Sequence, residues 1–191
     1  MKTVTNEENV LEIKNSKFYS YLYSVSDPME VKKYLDNVKS MHPKATHYTY
    51  AYRIYDMEKS SDDREPKNTA GKPMLGVLQK QDLTNTLVIV VRYFGGIKLG
   101  VGPLTRAYVK SVLEVLNKTT YIDLIPGYKI ELVLDYNLEK EINKILNSSN
   151  IISKEFKEKI TYQALVTEEV LNQLRNNNYN FDIINELYIK R

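Results

Sequence analysis

The sequence predicts an α+β protein of two domains: helices packed on a sheet over residues 1–125, and a ferredoxin-like βαββαβ domain over 126–191. Three observations carry this reading. Thr86 to Val91 is an apolar, β-branched run suited to a central strand, and a glycine-rich loop leads from it into a broad helical apolar face. Pro126 and Gly127 interrupt the pattern at the point where the charge balance changes. Beyond them, strand and helix periodicities alternate in the split-β order.

Each element has its own signal. Val10 to Ile13 and Phe18 to Val25, joined by a polar turn at Lys14 to Lys17, predict a hairpin, with Phe18, Tyr19, Tyr21, Leu22 and Tyr23 favouring strand. Asp27, Pro28 and Glu30 supply an N-cap, a favoured first helical residue and a capping-box acid. Val31, Tyr34, Leu35, Val38 and Met41 then fall at helical spacing, and the helix should end near His42 and Pro43. Thr46 to Tyr55 reads as a strand with Tyr48, Tyr50 and Tyr52 on one face, and the polar stretch Asp56 to Asn68 as a mobile loop. Thr69, Gly71 and Pro73 introduce a short helix carrying Met74, Leu75, Val77 and Leu78. After the central strand, Leu104, Tyr108, Val112 and Val115, flanked by Ala107, Val109 and Leu116, make a helix able to pack on a sheet, and Thr120 to Ile125 adds a strand. In the second domain Ile130, Leu132 and Leu134 alternate as a strand, and Asn137 caps a helix through Leu146. Asn150 to Phe156 and Ile160 to Val166 are strands, Thr167 caps the second helix, and Phe181 to Ile189 is the last strand.

Composition narrows the function classes. With no cysteine, disulfides and thiolate chemistry are excluded, and no charged segment precedes an apolar signal-peptide region. The longest apolar run, Leu87 to Val91, is too short to span a bilayer, so a cytoplasmic protein without membrane insertion is expected. The net charge of +3 is too mild to announce nucleic-acid binding, but the excess is localised: residues 1–124 hold 18 basic and 14 acidic side chains, and 125–191 hold 9 and 10. The abundance of Lys, Asn, Ile and Tyr matches an AT-rich coding sequence and carries no functional weight.

The most informative stretch is RYFGGIKLGVGPLTRAY, Arg92 to Tyr108. It contains four of the seven glycines, Gly95, Gly96, Gly100 and Gly102, together with Arg92, Lys98 and Arg106. Glycine permits positive φ and close backbone approach, and the first N–H groups of the following helix lack intrahelical partners, so such a loop can bind an anion. Val101 follows Gly100 where a nucleotide-hydrolase loop has Lys and then Ser or Thr, and Leu104 and Thr105 stand where a dinucleotide fingerprint needs a third glycine. A generic phosphate-contact loop remains, beside the plainer alternative of a structural turn.

This loop, SDDREPKNTAGKPML from Ser61 to Leu75, and HPKATH from His42 to His47 together resemble the YigZ/IMPACT family, in the family's order. With the split-β second domain the resemblance covers nearly the whole chain. It implies an N-terminal α/β sandwich of the type found in the second domain of ribosomal small-subunit protein five and the fourth domain of elongation factor G. The second half is then similar to the ferredoxin-like domain five of elongation factor G. Where the family usually has glycine, this chain has Arg64, Asn68 and Pro103. A left-handed backbone is open to Asn, strained for Arg and closed to Pro, so Pro103 is expected to start the helix. The resemblance implies a link to translation, since the family's eukaryotic members are translation regulators. They act through an extra N-terminal module that competes for a ribosome-associated activator of an initiation-factor kinase. This chain begins with the family-type domain, so that partner is not expected to carry over, and bacterial members bring no established catalytic activity.

The leading expectation is a non-enzymatic, RNA- or ribosome-associated regulator of translation without a cofactor or metal. Arg92, Lys98 and Arg106 would neutralise phosphates, and the backbone of Gly95, Gly96, Gly100 and Gly102 would give direction. The alternatives are a protein-binding adaptor and a metal-assisted hydrolase in which Asp62, Asp63 and Glu65 hold a cation or move protons beside His47. His42 and His47, the only histidines, would need carboxylates from elsewhere to bind zinc. Ser61, Thr69 and Thr105 lack a sequence-evident base, so nucleophilic catalysis would depend on His47. Tyr48, Tyr50 and Tyr52 form either a base-stacking platform or a sheet face covered by a helix.

Overall fold

The structure is a computed structural model that describes residues 1–146 and 151–190. It divides into two units, Met1–Asp123 and Leu124–Arg191. In the first unit, β2 (Glu7–Ile13), β3 (Ser16–Ser24), β6 (Thr86–Tyr93), β4 (His47–Ile54) and β5 (Met57–Ser61) form an antiparallel sheet in that order, preceded in the chain by β1 (Lys2–Val4). The short strand β1 pairs with the first residues of β7 (Tyr121–Leu134), Lys2 opposite Asp123.

The central place of β6 follows from its sequence. Seven of its eight residues are buried, which requires cover on both faces. Val88 and Val90 face α2 (Gly71–Lys80) and α3 (Val101–Leu116), in one core with Phe18, Leu22, Met74, Leu78, Leu104, Tyr108 and Val112. Leu87, Ile89 and Val91 face the other way, in a core with Tyr21, Tyr52, Ile54 and with Val31 and Val38 of α1 (Pro28–Met41). The result is an α/β sandwich. Helix α1 starts as its sequence signals: the Asp27 side chain accepts from Met29 N at 2.6 Å, Glu30 reaches back to Ser26 N at 2.7 Å, and His42 is the C-cap.

Three expectations are corrected here. Residues Asp56 to Asn68 are not simply a mobile loop, because Met57–Ser61 pairs with Tyr50–Ile54 as strand β5, joined by a tight turn in which Tyr55 has φ +51°. Pro126 and Gly127 do not break the chain, since β7 runs straight through them. A Cβ on Gly127 would lie 3.0 Å from both Val166 O and Ile189 Cδ1, so this glycine marks close strand packing rather than a turn. Pro103 does not start α3, which begins two residues earlier, but it stays in the first turn, where its missing N–H costs nothing.

The second unit takes the rest of β7, then a 3-10 turn (Tyr136–Leu138), α4 (Glu139–Leu146), β8 (Ile151–Phe156), β9 (Ile160–Thr167), α5 (Glu168–Asn176) and β10 (Phe181–Lys190). Its antiparallel sheet has the order β10-β7-β9-β8, the ferredoxin-like arrangement. Ile142 and Leu146 of α4 and Leu171 and Leu174 of α5 are buried with Ile130, Leu132, Leu134, Tyr162 and Val166 of the sheet. Thr167 caps α5 as expected, its side chain accepting from Val170 N. Asn137 is not a cap. It sits inside the 3-10 turn that precedes α4, because Asp135 O accepts the first turn's N–H from Leu138 at 3.0 Å. Asn150, expected to open β8, lies outside the described residues. Among the described residues no helix is long and apolar enough to cross a membrane.

Candidate functional site

Antiparallel pairing of β4 and β6 sets His47 opposite Arg92 at one end of the first unit's sheet. Three chain segments meet there. Glu65, from the loop after β5, accepts through Oε1 from Arg92 Nη1 and from Tyr108 Oη of α3, both at 2.7 Å. Its Oε2 lies 3.6 Å from His47 Nε2, and His47 Nδ1 donates to the Asp63 carbonyl at 2.8 Å. Since a carbonyl can only accept, the Nδ1 proton is fixed and Nε2 is turned to the carboxylate. Burial, and then the neighbouring Glu65 charge, push the Tyr108 phenol far above its ordinary value, so it remains a donor. A buried carboxylate is tolerable only when paired and hydrogen-bonded in this way.

This corrects the role of Arg92. The residue is only 5% exposed and its charge is spent on Glu65, so it is not presented to a phosphate. Its guanidinium instead lies over two rings, 5.5 Å from the centroid of buried Phe18 and 5.7 Å from that of Phe94. Its Nε has no hydrogen-bond partner among the described residues.

The weak catalytic candidates Asp62 and Asp63 are also engaged. Asp62 accepts from Ala70 N at 3.0 Å and Gly71 N at 2.8 Å through Oδ1, and from Asn68 N at 2.8 Å through Oδ2. It thereby caps α2, whose positive end favours a carboxylate. Asp63 Oδ2 accepts from Tyr48 N at 2.6 Å. The turn holding them is left-handed at Asp63 (φ +39°), Arg64 (φ +67°) and Asn68 (φ +62°), a backbone open to Asn and strained for Arg. Gly71 packs so close to Ser61 that a Cβ would fall 2.7 Å from Ser61 N. The hydroxyls are committed as well: Thr69 donates to Pro66 O at 2.6 Å, Thr105 to Val101 O at 3.0 Å, and Ser61 accepts from Asp63 N at 3.3 Å. His47 faces Glu65 rather than any of them.

The two histidines do not share a site. His42 is buried, with Nε2 2.6 Å from Tyr21 Oη and Nδ1 3.0 Å from Tyr93 Oη, and its carbonyl accepts from Tyr48 Oη. Burial holds its imidazole below the ordinary value. Tyr48, Tyr50 and Tyr52 pack with the α1-facing core, which is the sheet-face role rather than an open platform.

The glycine loop folds against the β2–β3 turn: Gly95 N donates to Ser16 Oγ at 3.2 Å, and a Cβ on Gly95 would sit 2.1 Å from Asn15 C. Gly96 and Gly100 have φ of +82° and +81°. Gly100 is the N-cap of α3 and offers no side-chain cap. The N–H groups of Val101 and Gly102, in that first turn, have no intrahelical acceptor. The Arg106 Nη1 atom lies 3.5 Å from where a Gly102 Cβ would stand, alongside the same turn. Lys98 and Arg106 are exposed and make no hydrogen bond or ion pair among the described residues. Sequence reasoning missed Phe94 and Thr46: Phe94 N donates to Thr46 Oγ1 at 3.2 Å, and the exposed Arg64 Nη2 lies 3.5 Å from Thr46 O. An aromatic residue directly beside four glycines and three cations was the available signal.

The segment 14–116 matches the family model of the Impact N-terminal domain. A Bacillus subtilis protein, IMPACT family member YvyE, is 38% identical over 170 residues, 86% of this chain and 78% of that protein. The chain belongs to the IMPACT family. A second IMPACT family member, YigZ of Escherichia coli, is 34% identical over 164 residues, covering 82% of this chain and 78% of its own. A crystal structure described only as that of a hypothetical protein superposes with a TM-score of 0.73 at 27% identity, over 96% of this chain and 97% of the other. In this IMPACT-family chain, the three sequence blocks that carry the resemblance are the segments joined by the Glu65, Arg92, Tyr108 and His47 contacts.

Proposed function

We propose that the loop end of the first unit binds RNA phosphates, on free RNA or on a ribosome, and that the protein regulates translation without chemistry of its own. The observation that supports this reading is a sorting of charge. The acids of the Asp62 to Glu65 block are largely engaged, Asp62 and Asp63 with backbone N–H groups, Asp63 also 3.8 Å from Arg64 Nε, and Glu65 with Arg92 and Tyr108. The cations of the same turns, Lys44, Arg64, Lys67, Lys98 and Arg106, remain exposed. The net charge of the chain understates this local field. The link to translation rests on the family.

Salt dependence is the test. Co-sedimentation with ribosomes, or filter retention of ribosomal RNA, should weaken steeply as salt rises. The variant Lys98→Glu/Arg106→Glu should bind less and show a log–log salt slope shallower by about 0.7–0.9 for each phosphate that is no longer neutralised. Retention that is absent, or indifferent to both salt and these reversals, overturns the proposal. Binding that survives nuclease treatment would point to a protein-binding adaptor instead.

A further inference from the structure

We infer that the RNA taken by this surface is single-stranded and that Phe94 is the platform on which one of its bases stacks. The inference rests on the phosphate-binding reading above and adds strand state and a contact residue to it. Phe94 is 46% exposed, unusual for a phenylalanine, yet it is not loosely held. The Arg92 guanidinium lies 5.7 Å from its ring centroid, and the buried Phe18 ring lies 5.5 Å from the same guanidinium, so one fixed cation contacts both a core ring and this surface ring. Arg92 is fixed in turn by its 2.7 Å bond to Glu65, and the Phe94 backbone by its 3.2 Å bond to Thr46 Oγ1. A ring already ordered by the fold loses little conformational freedom when a base stacks on it.

The surroundings favour RNA over an apolar peptide. Thr46, whose hydroxyl accepts from the Phe94 backbone N–H, also accepts from Arg64 through its carbonyl at 3.5 Å, so an exposed guanidinium is bonded to the residue that anchors the Phe94 backbone. Lys98 follows on the same loop and Arg106 on the helix it leads into, both without a carboxylate partner among the described residues. An exposed aromatic face on a loop with the unpaired cations Lys98 and Arg106 suits a strand whose bases are free to stack and whose phosphates follow at short intervals. A duplex offers the phosphates but keeps its base faces covered.

Fluorescence anisotropy at fixed salt, with a labelled single-stranded RNA of roughly ten nucleotides and the same sequence annealed as a duplex, separates these terms. The single strand should bind more tightly than the duplex. Phe94→Ala should weaken single-strand binding about 5- to 100-fold and leave duplex binding unchanged, while Phe94→Trp should retain it. Lys98→Glu/Arg106→Glu should weaken both. If Phe94→Ala changes nothing while the charge reversal weakens binding, phosphate recognition stands and the stacking inference falls. Equal affinity for duplex and single strand also overturns it. If wild-type protein binds neither RNA, the phosphate reading itself fails. Native circular dichroism of Phe94→Ala establishes that the fold is kept, as expected for a half-exposed side chain.

Discussion

At the residue scale, the decisive group is Glu65. It is the shared acceptor of Arg92 and Tyr108 and faces His47, so its removal leaves a guanidinium buried without its counter-charge. Glu65→Leu should destabilise the first unit by about 3–5 kcal/mol, and the double variant Glu65→Leu/Arg92→Met should recover much of that stability. Urea denaturation of the two variants checks this, and a double variant no more stable than the single one would contradict it. The sequence displayed Glu65 among acids and Arg92 among cations of a glycine loop, which suggested two solvent-facing sites. Their partnership was not legible, because an ion pair between positions 27 apart depends on how β4, β6 and α3 come together. Asp62 illustrates the same limit: acid clusters read alike whether they face water or backbone N–H groups. Lys98 and Arg106, by contrast, stand exposed.

At the scale of elements, two glycines should respond in opposite directions to the same change. Gly95 lies against the β2–β3 turn, where a Cβ would be 2.1 Å from Asn15 C, whereas around Gly76 in α2 nothing lies within 4 Å. Gly95→Ala should cost about 3 kcal/mol or more, as an overpacked site that must move backbone. Gly76→Ala should stabilise the protein by about 0.5–1 kcal/mol through helix propensity and reduced unfolded-state entropy. Chemical denaturation midpoints of the two variants, which should move apart, are the measurement. Elements with strong local signals were legible in sequence: α1 through Asp27, Pro28 and Glu30, α5 through Thr167, and β6 through its unbroken apolar run. Strands β1 and β5 were not, being short and defined by hydrogen bonding to neighbours rather than by their own apolar pattern. The misreading of Pro126 and Gly127 has a related cause, for the same residues that break chains also permit close strand packing.

At the scale of the molecule, apolar residues gather into cores that belong to one unit or the other. The first unit has one on each face of its sheet, and the second has its own around Ile130, Tyr162 and Leu171. Unfolding should therefore depart from a single two-state transition, with a van't Hoff enthalpy below the calorimetric one. Leu174→Ala should shift one transition and Val90→Ala the other, as followed by differential scanning calorimetry. Both substitutions moving a single transition equally would contradict separate cooperative units. The fold class was legible because each half declares its own periodicity.

Arg64 sets the demands of folding and of binding against each other within one residue. Its φ of +67° is where an L side chain is strained by about 1 kcal/mol, yet its exposed guanidinium reaches the Thr46 carbonyl, on the residue whose hydroxyl anchors the Phe94 backbone. Arg64→Gly should leave stability level or slightly raised and make RNA binding weaker, which paired denaturation and anisotropy measurements would show. Selection for robustness alone would then erode the interface at this turn. The arginine's persistence in a left-handed position would be a record that binding had outweighed stability.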